Sequence, residues 1–282
     1  MTTRVAVVTD STAYLPAGVA QRHGIETVPL HVVLGGRTGT EGAEVTPDQV
    51  AAALHERRVS VSTSRPTPTE LADAYRATGA RQVVSVHLSG ALSGTVESAR
   101  LAAAEVERDG IEVRVVDSRT IAMALGFAVL AAAEAAESGA DVDAVASRAE
   151  LVAASTTALF YVDTLEYLRR GGRIGAASAL LGTALAVKPL LHMQGGTIAL
   201  MEKVRTSARA LARMEDVAAA RAGDGAVDVA VHHLEAPEKA AELAERLRRR
   251  LPGLQALQVS EVGAVVGAHV GPGLLAVVVS PR

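Results

Sequence analysis

Apolar residues along the chain fall into two recurring patterns. Short continuous runs rich in valine end in polar turns, and Val5-Ala6-Val7-Val8-Thr9 before Asp10-Ser11-Thr12 is the first of them. Such runs suit parallel strands buried on both faces better than one-sided antiparallel strands. Similar runs recur at 82–86 and 112–116, and between them lie Ala-rich stretches with helical spacing at 96–108, 121–138 and 142–154. The alternation βαβα predicts a parallel sheet with helices on its faces. Ligands on such sheets gather at the carboxyl ends of the strands, here the loops Asp10-Ser11-Thr12, 88–95 and Asp117-Ser118.

The second half has a different texture. Its pattern predicts a strand at 159–163, a short helix at 164–170 stopped by Gly171-Gly172, and two strands at 186–192 and 197–204. Gln194-Gly195-Gly196 between the last two predicts a β-hairpin, because glycine supplies the positive φ of tight turns. A helix at 207–221, a strand at 227–231, a charged helix at 237–250 and a Gly-rich segment leading to a strand at 274–279 complete it. The expected fold class is α/β in two domains, an N-terminal one at 1–155 with a parallel sheet and a mixed C-terminal one at 156–282.

Charge and composition narrow the function. With 28 Lys+Arg against 31 Asp+Glu, the net charge of −3 is too near neutral for a non-specific nucleic-acid binder. Aromatic residues are only 2%, with no Trp, so stacking platforms for bases are not expected and the core must come from Ala, Val and Leu. The absence of Cys removes disulfides, thiolate metal sites and a cysteine nucleophile. No apolar run of about 18 residues escapes a charge or a glycine-rich break, so no transmembrane segment is expected. The first ten residues are too short for a signal-peptide core, and a cytoplasmic protein is expected.

Four segments carry candidate chemistry. Ser89-Gly90-Ala91-Leu92-Ser93-Gly94-Thr95 follows a strand and opens a helix, offering hydroxyls, backbone N–H groups and the positive end of the dipole to an anion; its plain alternative is a helix cap. Ser62-Thr63-Ser64-Arg65-Pro66-Thr67-Pro68 presents hydroxyls on a backbone stiffened by prolines, or is simply a proline-rich loop with an N-cap. Leu168-Arg169-Arg170-Gly171-Gly172-Arg173-Ile174 sets three guanidinium groups around a double glycine; Arg169 and Arg170 fit a helix stop, whereas Arg173 lies past the cap. In Gly267-Ala268-His269-Val270-Gly271-Pro272-Gly273, one histidine stands in a bare backbone, able to donate to an anion or move a proton. Asp10 and Asp117 fit turn or supporting roles, and neither a cofactor nor a metal site is expected.

Order and spacing of these pieces resemble the DegV family of fatty-acid-binding proteins. Matching segments are Val8-Thr9-Asp10-Ser11, Thr63-Ser64-Arg65-Pro66, Leu92-Ser93-Gly94-Thr95, Val116-Asp117-Ser118, 165–174 with Gly-Gly-Arg-Ile, Lys188-Pro189, Lys203-Val204-Arg205-Thr206 and His269-Val270-Gly271-Pro272-Gly273, which together run through nearly the whole chain. The resemblance implies one long-chain fatty acid with its tail inside the protein, its carboxylate presented to a separate ATP-dependent fatty acid kinase that makes an acyl-phosphate. It implies Thr63, Ser93 and His269 as carboxylate ligands, with Ser64, Gly94 and Thr95 beside them, and Arg173 toward the kinase or its phosphate. Arg65 stands where the family usually has Gln or a similar residue. The ligand is expected in a cleft and tunnel between the two domains. Two enzyme readings compete: a serine esterase or acyltransferase with Ser93 as nucleophile and His269 as base, and a phosphotransferase for a small polyol. The first lacks a nucleophile elbow and the second a nucleotide loop.

Overall fold

The computed structural model describes residues 4–56, 59–180 and 188–282. In chain order they form β1 (Val5–Asp10), α1 (Val19–Arg22), β2 (Ile25–Val28), β3 (His31–Leu34), β4 (Arg37–Thr40), α2 (Pro47–Glu56), β5 (Val61–Ser64), α3 (Pro68–Ala77), β6 (Gln82–His87), α4 (Thr95–Val106), β7 (Glu112–Asp117), α5 (Met123–Glu137), α6 (Val142–Ser155), β8 (Thr157–Tyr161), α7 (Glu166–Arg170), β9 (Lys188–Gln194), β10 (Thr197–Val204), α8 (Ser207–Ala222), β11 (Val227–His233), α9 (Pro237–Arg250), β12 (Leu254–Glu261), α10 (Ala264–Val270) and β13 (Leu275–Pro281). They make two compact units, residues 1–31 with 64–155 and residues 32–63 with 156–282. The sequence pattern alone draws one boundary at 155; the folded chain crosses between units at 31 and 63 as well.

The first unit is a parallel sheet in the order β2-β1-β6-β7. The valines of β1 and β6 are buried on both faces, which is why they read as continuous runs. Val8 and Val83 pack under Leu71, Ala72 and Tyr75 of α3 and Ala99, Ala102 and Val106 of α4. Their neighbours Val7 and Val84 are buried too. The pair α5 and α6 closes on itself through Ala128, Ala131, Val152 and Ala153. Helix α3 starts where Thr67 and Glu70 form a reciprocal capping box with Pro68 in the first turn.

The second unit holds a six-stranded sheet in the order β10-β9-β8-β13-β11-β12, antiparallel except for β11 with β12. Helix α9 shows why its partner face is apolar: Ala240, Leu243, Ala244 and Leu247 are buried at helical spacing, with Pro237 at the start and Arg248, Arg249 and Arg250 in the last turn. These side chains join Met214 and Ala218 of α8 against Val229, Val231, Val277 and Val279 of the sheet. The β9–β10 hairpin turns at Gly195 and Gly196, with φ of 59° and 88°. Of the strand expected at 186–192, residues 186 and 187 lie outside the described residues.

Residues 32–63 add β4-β3-β5, a small three-stranded sheet, and α2. Specific contacts tie this segment to α10. The buried Glu41 carboxylate accepts from Val265 N at 2.8 Å, at the positive end of the helix. Gly267 leaves room for Val50 and Leu234, whose side chains a Cβ would touch. Among the described residues no helix is long and apolar enough to cross a membrane.

Candidate functional site

The segment expected to be a proline-rich loop is strand through its first part, because β5 covers Val61–Ser64 and the prolines begin only afterwards. Its burial alternates, so Thr63 faces inward and Ser64 is exposed on the opposite face. Thr63 Oγ1 lies 2.8 Å from His269 Nε2. His269 is not in a bare loop: it occupies the last turn of α10, which ends at Gly271 with φ of 73°.

Burial, and then the positive charge of Arg173, push the His269 imidazole down to about 4. A helix C-terminus alone would favour the imidazolium; desolvation outweighs it, and the ring is neutral near pH 7. A neutral imidazole carries one donor and one acceptor nitrogen. With Nε2 on Thr63, Nδ1 remains buried with no hydrogen-bond partner among the described residues. That nitrogen faces Gly171, where an added Cβ would overlap it, so backbone packing covers this edge of the ring.

Three glycines bring this site together. A Cβ at Gly171 would overlap the His269 ring, one at Gly271 the Tyr167 ring, and one at Gly273 the Asp163 carboxylate. The two glycine-rich motifs of the sequence therefore interlock through places where a side chain would not fit. Around them, Tyr161 donates to Asp163 Oδ1 at 2.5 Å and meets Ser207 Oγ at 2.8 Å, and Lys188 donates to the Asp163 carbonyl at 3.0 Å. Burial, with the bond to Asp163 next, pushes the Tyr161 hydroxyl up to about 12.

Arg173 is part of the helix stop. Its N–H donates to Leu168 O at 3.0 Å while Gly172 N donates to Arg169 O at 3.1 Å, the paired bonds of a Schellman end, with Gly172 at φ of 71°. Its guanidinium turns back to Gly171 O at 2.6 Å. Arg169 and Arg170 place their charge on Glu166, at 2.7 and 2.8 Å. Arg173→Ala removes a cation that disfavours imidazolium, so the His269 pKa should rise toward its ordinary value. Titration of the His269 ring Hε1 resonance checks this; an unchanged midpoint contradicts it.

In the first unit, Ser93 Oγ lies 2.9 Å from Thr95 Oγ1 and accepts from Thr95 N at 3.3 Å. Gly94 is the N-cap of α4 without a side-chain cap bond. Arg65 crosses it, donating to Gly94 O at 3.2 Å and Glu97 Oε2 at 2.8 Å, and a Cβ on Gly94 would overlap its guanidinium. Sequence reasoning gave Arg65 no structural part; its pairing with an acid in the first turn of α4 is visible only once β5 is placed.

A Ser–His–Asp chain does occur, at residues outside the esterase expectation. Ser85 Oγ lies 2.6 Å from His87 Nε2 and His87 Nδ1 lies 3.0 Å from Asp10 Oδ2, with Tyr75 donating to Ser85. All four are wholly buried. Among the described residues no three His, Asp or Glu cluster as metal ligands.

His232 is also pushed down to about 4 by burial. Both histidines titrate near 6.5 when unfolded, so between pH 6.5 and 4 the unfolded chain binds protons that the folded one refuses. Stability should fall as pH drops through that window. Urea unfolding at pH 7 and pH 5 tests it, and His269→Gln should show the smaller drop; equal drops in both proteins would contradict the assignment to His269.

The DegV family model matches residues 4–282. The chain belongs to the DegV family. A DegV domain-containing protein of Streptomyces coelicolor is 60% identical over 100% of both chains. Among solved structures, the chain is similar to a DegV family protein from Thermus thermophilus described by its fatty acid binding, with 33% identity, a TM-score of 0.92 and coverage of 99% and 100%. DegV from Bacillus subtilis, described as a fatty acid binding protein, shares 34% identity with a TM-score of 0.91 and the same coverage, 99% and 100%. The α/β architecture with a parallel sheet and a separate mixed sheet agrees with the fold class expected from the DegV resemblance.

Proposed function

We infer that this chain binds a long-chain fatty acid as its carboxylate and presents that carboxylate to a separate ATP-dependent kinase. The observation that carries the binding half is the Thr63–His269 pair, a buried neutral imidazole bonded to a hydroxyl. With Nε2–H donating to Thr63, the threonine hydroxyl is free to donate to a carboxylate oxygen. An ionised carboxylate in such a place needs donors, since burial without them costs several kcal/mol or neutralises it. Solved structures of similar proteins described as fatty acid binding support the ligand class. Ser93, Gly94 and Thr95 remain proposed carboxylate-binding residues, whereas Ser64 points away from the Thr63 face of β5 and is set aside.

A core built with two Phe and no Trp suits an acyl tail, because small aliphatic side chains leave space that rings would fill. About 15 buried methylenes at ~0.8 kcal/mol each contribute roughly 12 kcal/mol, against association costs of about 4 to 15 kcal/mol, so the head-group bonds decide the affinity. The esterase alternative is disfavoured by the observed partners: His269 Nε2 serves Thr63 and the Ser93 hydroxyl serves Thr95.

Carboxyl-labelled [1-13C]palmitate tests the site. Its carboxyl resonance should shift on binding and differ between the parent protein and Thr63→Ala; an identical bound resonance would place the head group elsewhere. Handover rests on Arg173, whose guanidinium suits a phosphate or an acidic surface. Arg173→Ala should leave palmitate binding at pH 7.5 nearly intact and sharply lower acyl-phosphate formation by the kinase. Equal losses of binding, melting temperature and phosphorylation would assign it a purely structural role.

A further inference from the structure

The loop carrying Ser93 is held from outside by three consecutive bonds. Leu88 N donates to Asp10 Oδ2 at 2.9 Å, Ser89 N to Thr120 O at 2.9 Å, and Gly90 N to Asp117 Oδ1 at 3.1 Å. Ser89 O then accepts from Ser93 N at 3.1 Å, so the restraint passes directly to the serine. In the order β2-β1-β6-β7, β1 and β6 flank the point where the strand order reverses. A row of N–H groups at the carboxyl end of a parallel strand there is an ordinary place for a bound anion. Here the protein's own groups fill that row, a carboxylate at each end and the Thr120 carbonyl between them.

We propose that Asp10 and Asp117 are positioning residues, a clamp of two carboxylates that closes the backbone row to external anions and fixes the Ser93 hydroxyl for its ligand. The role toward ligand rests on the fatty-acid reading above; the role toward the loop does not. Asp10 is fixed in turn from both sides. Its Oδ1 accepts from Thr12 N at 3.1 Å and Thr12 Oγ1 at 2.5 Å, and its Oδ2 accepts from His87, which Ser85 and Tyr75 hold in one orientation. Four donors thus converge on two oxygens, a demand that an amide, with one acceptor, does not meet. Asp117 Oδ1 accepts from both Gly90 N and Arg119 N, at 3.1 and 2.9 Å, and Gly90 is tight against it, since a Cβ there would lie 2.9 Å from Asp117 Oδ2.

The test uses Asp117→Ala, at the half-buried end of β7, rather than a change at the wholly buried Asp10. Asp117→Ala should speed amide exchange at Gly90 and Ser93 and weaken palmitate binding by about tenfold. Asp117→Asn, whose carbonyl still accepts from both N–H groups, should restore both. The affinity loss should disappear in a Ser93→Ala background, because Asp117 acts through Ser93. An unchanged Ser93 exchange rate in Asp117→Ala overturns the clamp whatever palmitate does, and so does an equal affinity loss with and without Ser93. Should Ser93→Ala alone bind palmitate like the parent, the assignment of Ser93 to the fatty acid fails, and the exchange rates still decide the clamp.

Discussion

Thr63→Ala is expected to weaken palmitate binding by about 1.5 to 3 kcal/mol, the usual loss for one hydrogen bond to a charged group, or roughly tenfold or more in Kd. The hydroxyl is the group that bridges the neutral imidazole to the carboxylate, and alanine leaves His269 Nε2 without its 2.8 Å partner. Thr63→Ser keeps the hydroxyl and should retain most of the affinity, which separates the loss of a donor from the loss of a methyl group. Isothermal titration with palmitate on the three proteins reads this directly. Equal affinities for Thr63→Ala and the parent would remove Thr63 from the site.

Gly171→Ala is expected to act on both stability and binding. The added methyl overlaps the His269 ring, which is held by Thr63 on one side and by its helix on the other. Overpacking of this kind costs about 1 to 3 kcal/mol, and here the relief comes from moving the imidazole that serves the ligand. Gly172→Ala is the control. That residue has φ of 71° but no neighbour near its missing Cβ, so alanine there should cost only about 1 kcal/mol of backbone strain and leave palmitate affinity close to the parent. Thermal unfolding and titration on both variants decide the matter: matching affinities in the two would mean that the position of the ring, and of the Thr63 hydroxyl it holds, does not bear on the ligand.

The first unit was largely legible in the sequence because its signals are local. A strand buried on both faces announces itself as a valine run, and the helices α4, α5 and α6 have apolar spacing that needs no knowledge of their partners. The second unit hid more. Helix α10 reads as a Gly-rich segment, since Gly267 and the Gly271 end mask its spacing; only the packing of Gly267 against Leu234 and Val50 explains why glycine is tolerated there. Strand β5 was obscured by the prolines that follow it. The excursion of residues 32–63 into the second unit depends on Glu41 at the start of α10 and Thr63 at its end, contacts more than 200 residues apart in sequence. Periodicity carries no trace of such pairings. Local chemistry singles out the four segments and motif resemblance gives their residues ligand roles, but neither supplies the geometry: that Thr63 and Ser64 face opposite ways, that Arg173 belongs to a Schellman end, and that Arg65 lies across Gly94.

The chain is expected to hold a fatty acid without becoming acylated by it. Native mass spectrometry of the purified protein after incubation with palmitate, followed by denaturing extraction, tests this most directly. The expected result is one bound long-chain fatty acid in the native spectrum and an unmodified polypeptide mass after denaturation. A protein that takes up no fatty acid, or one that keeps an acyl group on Ser93 after denaturation, would contradict it.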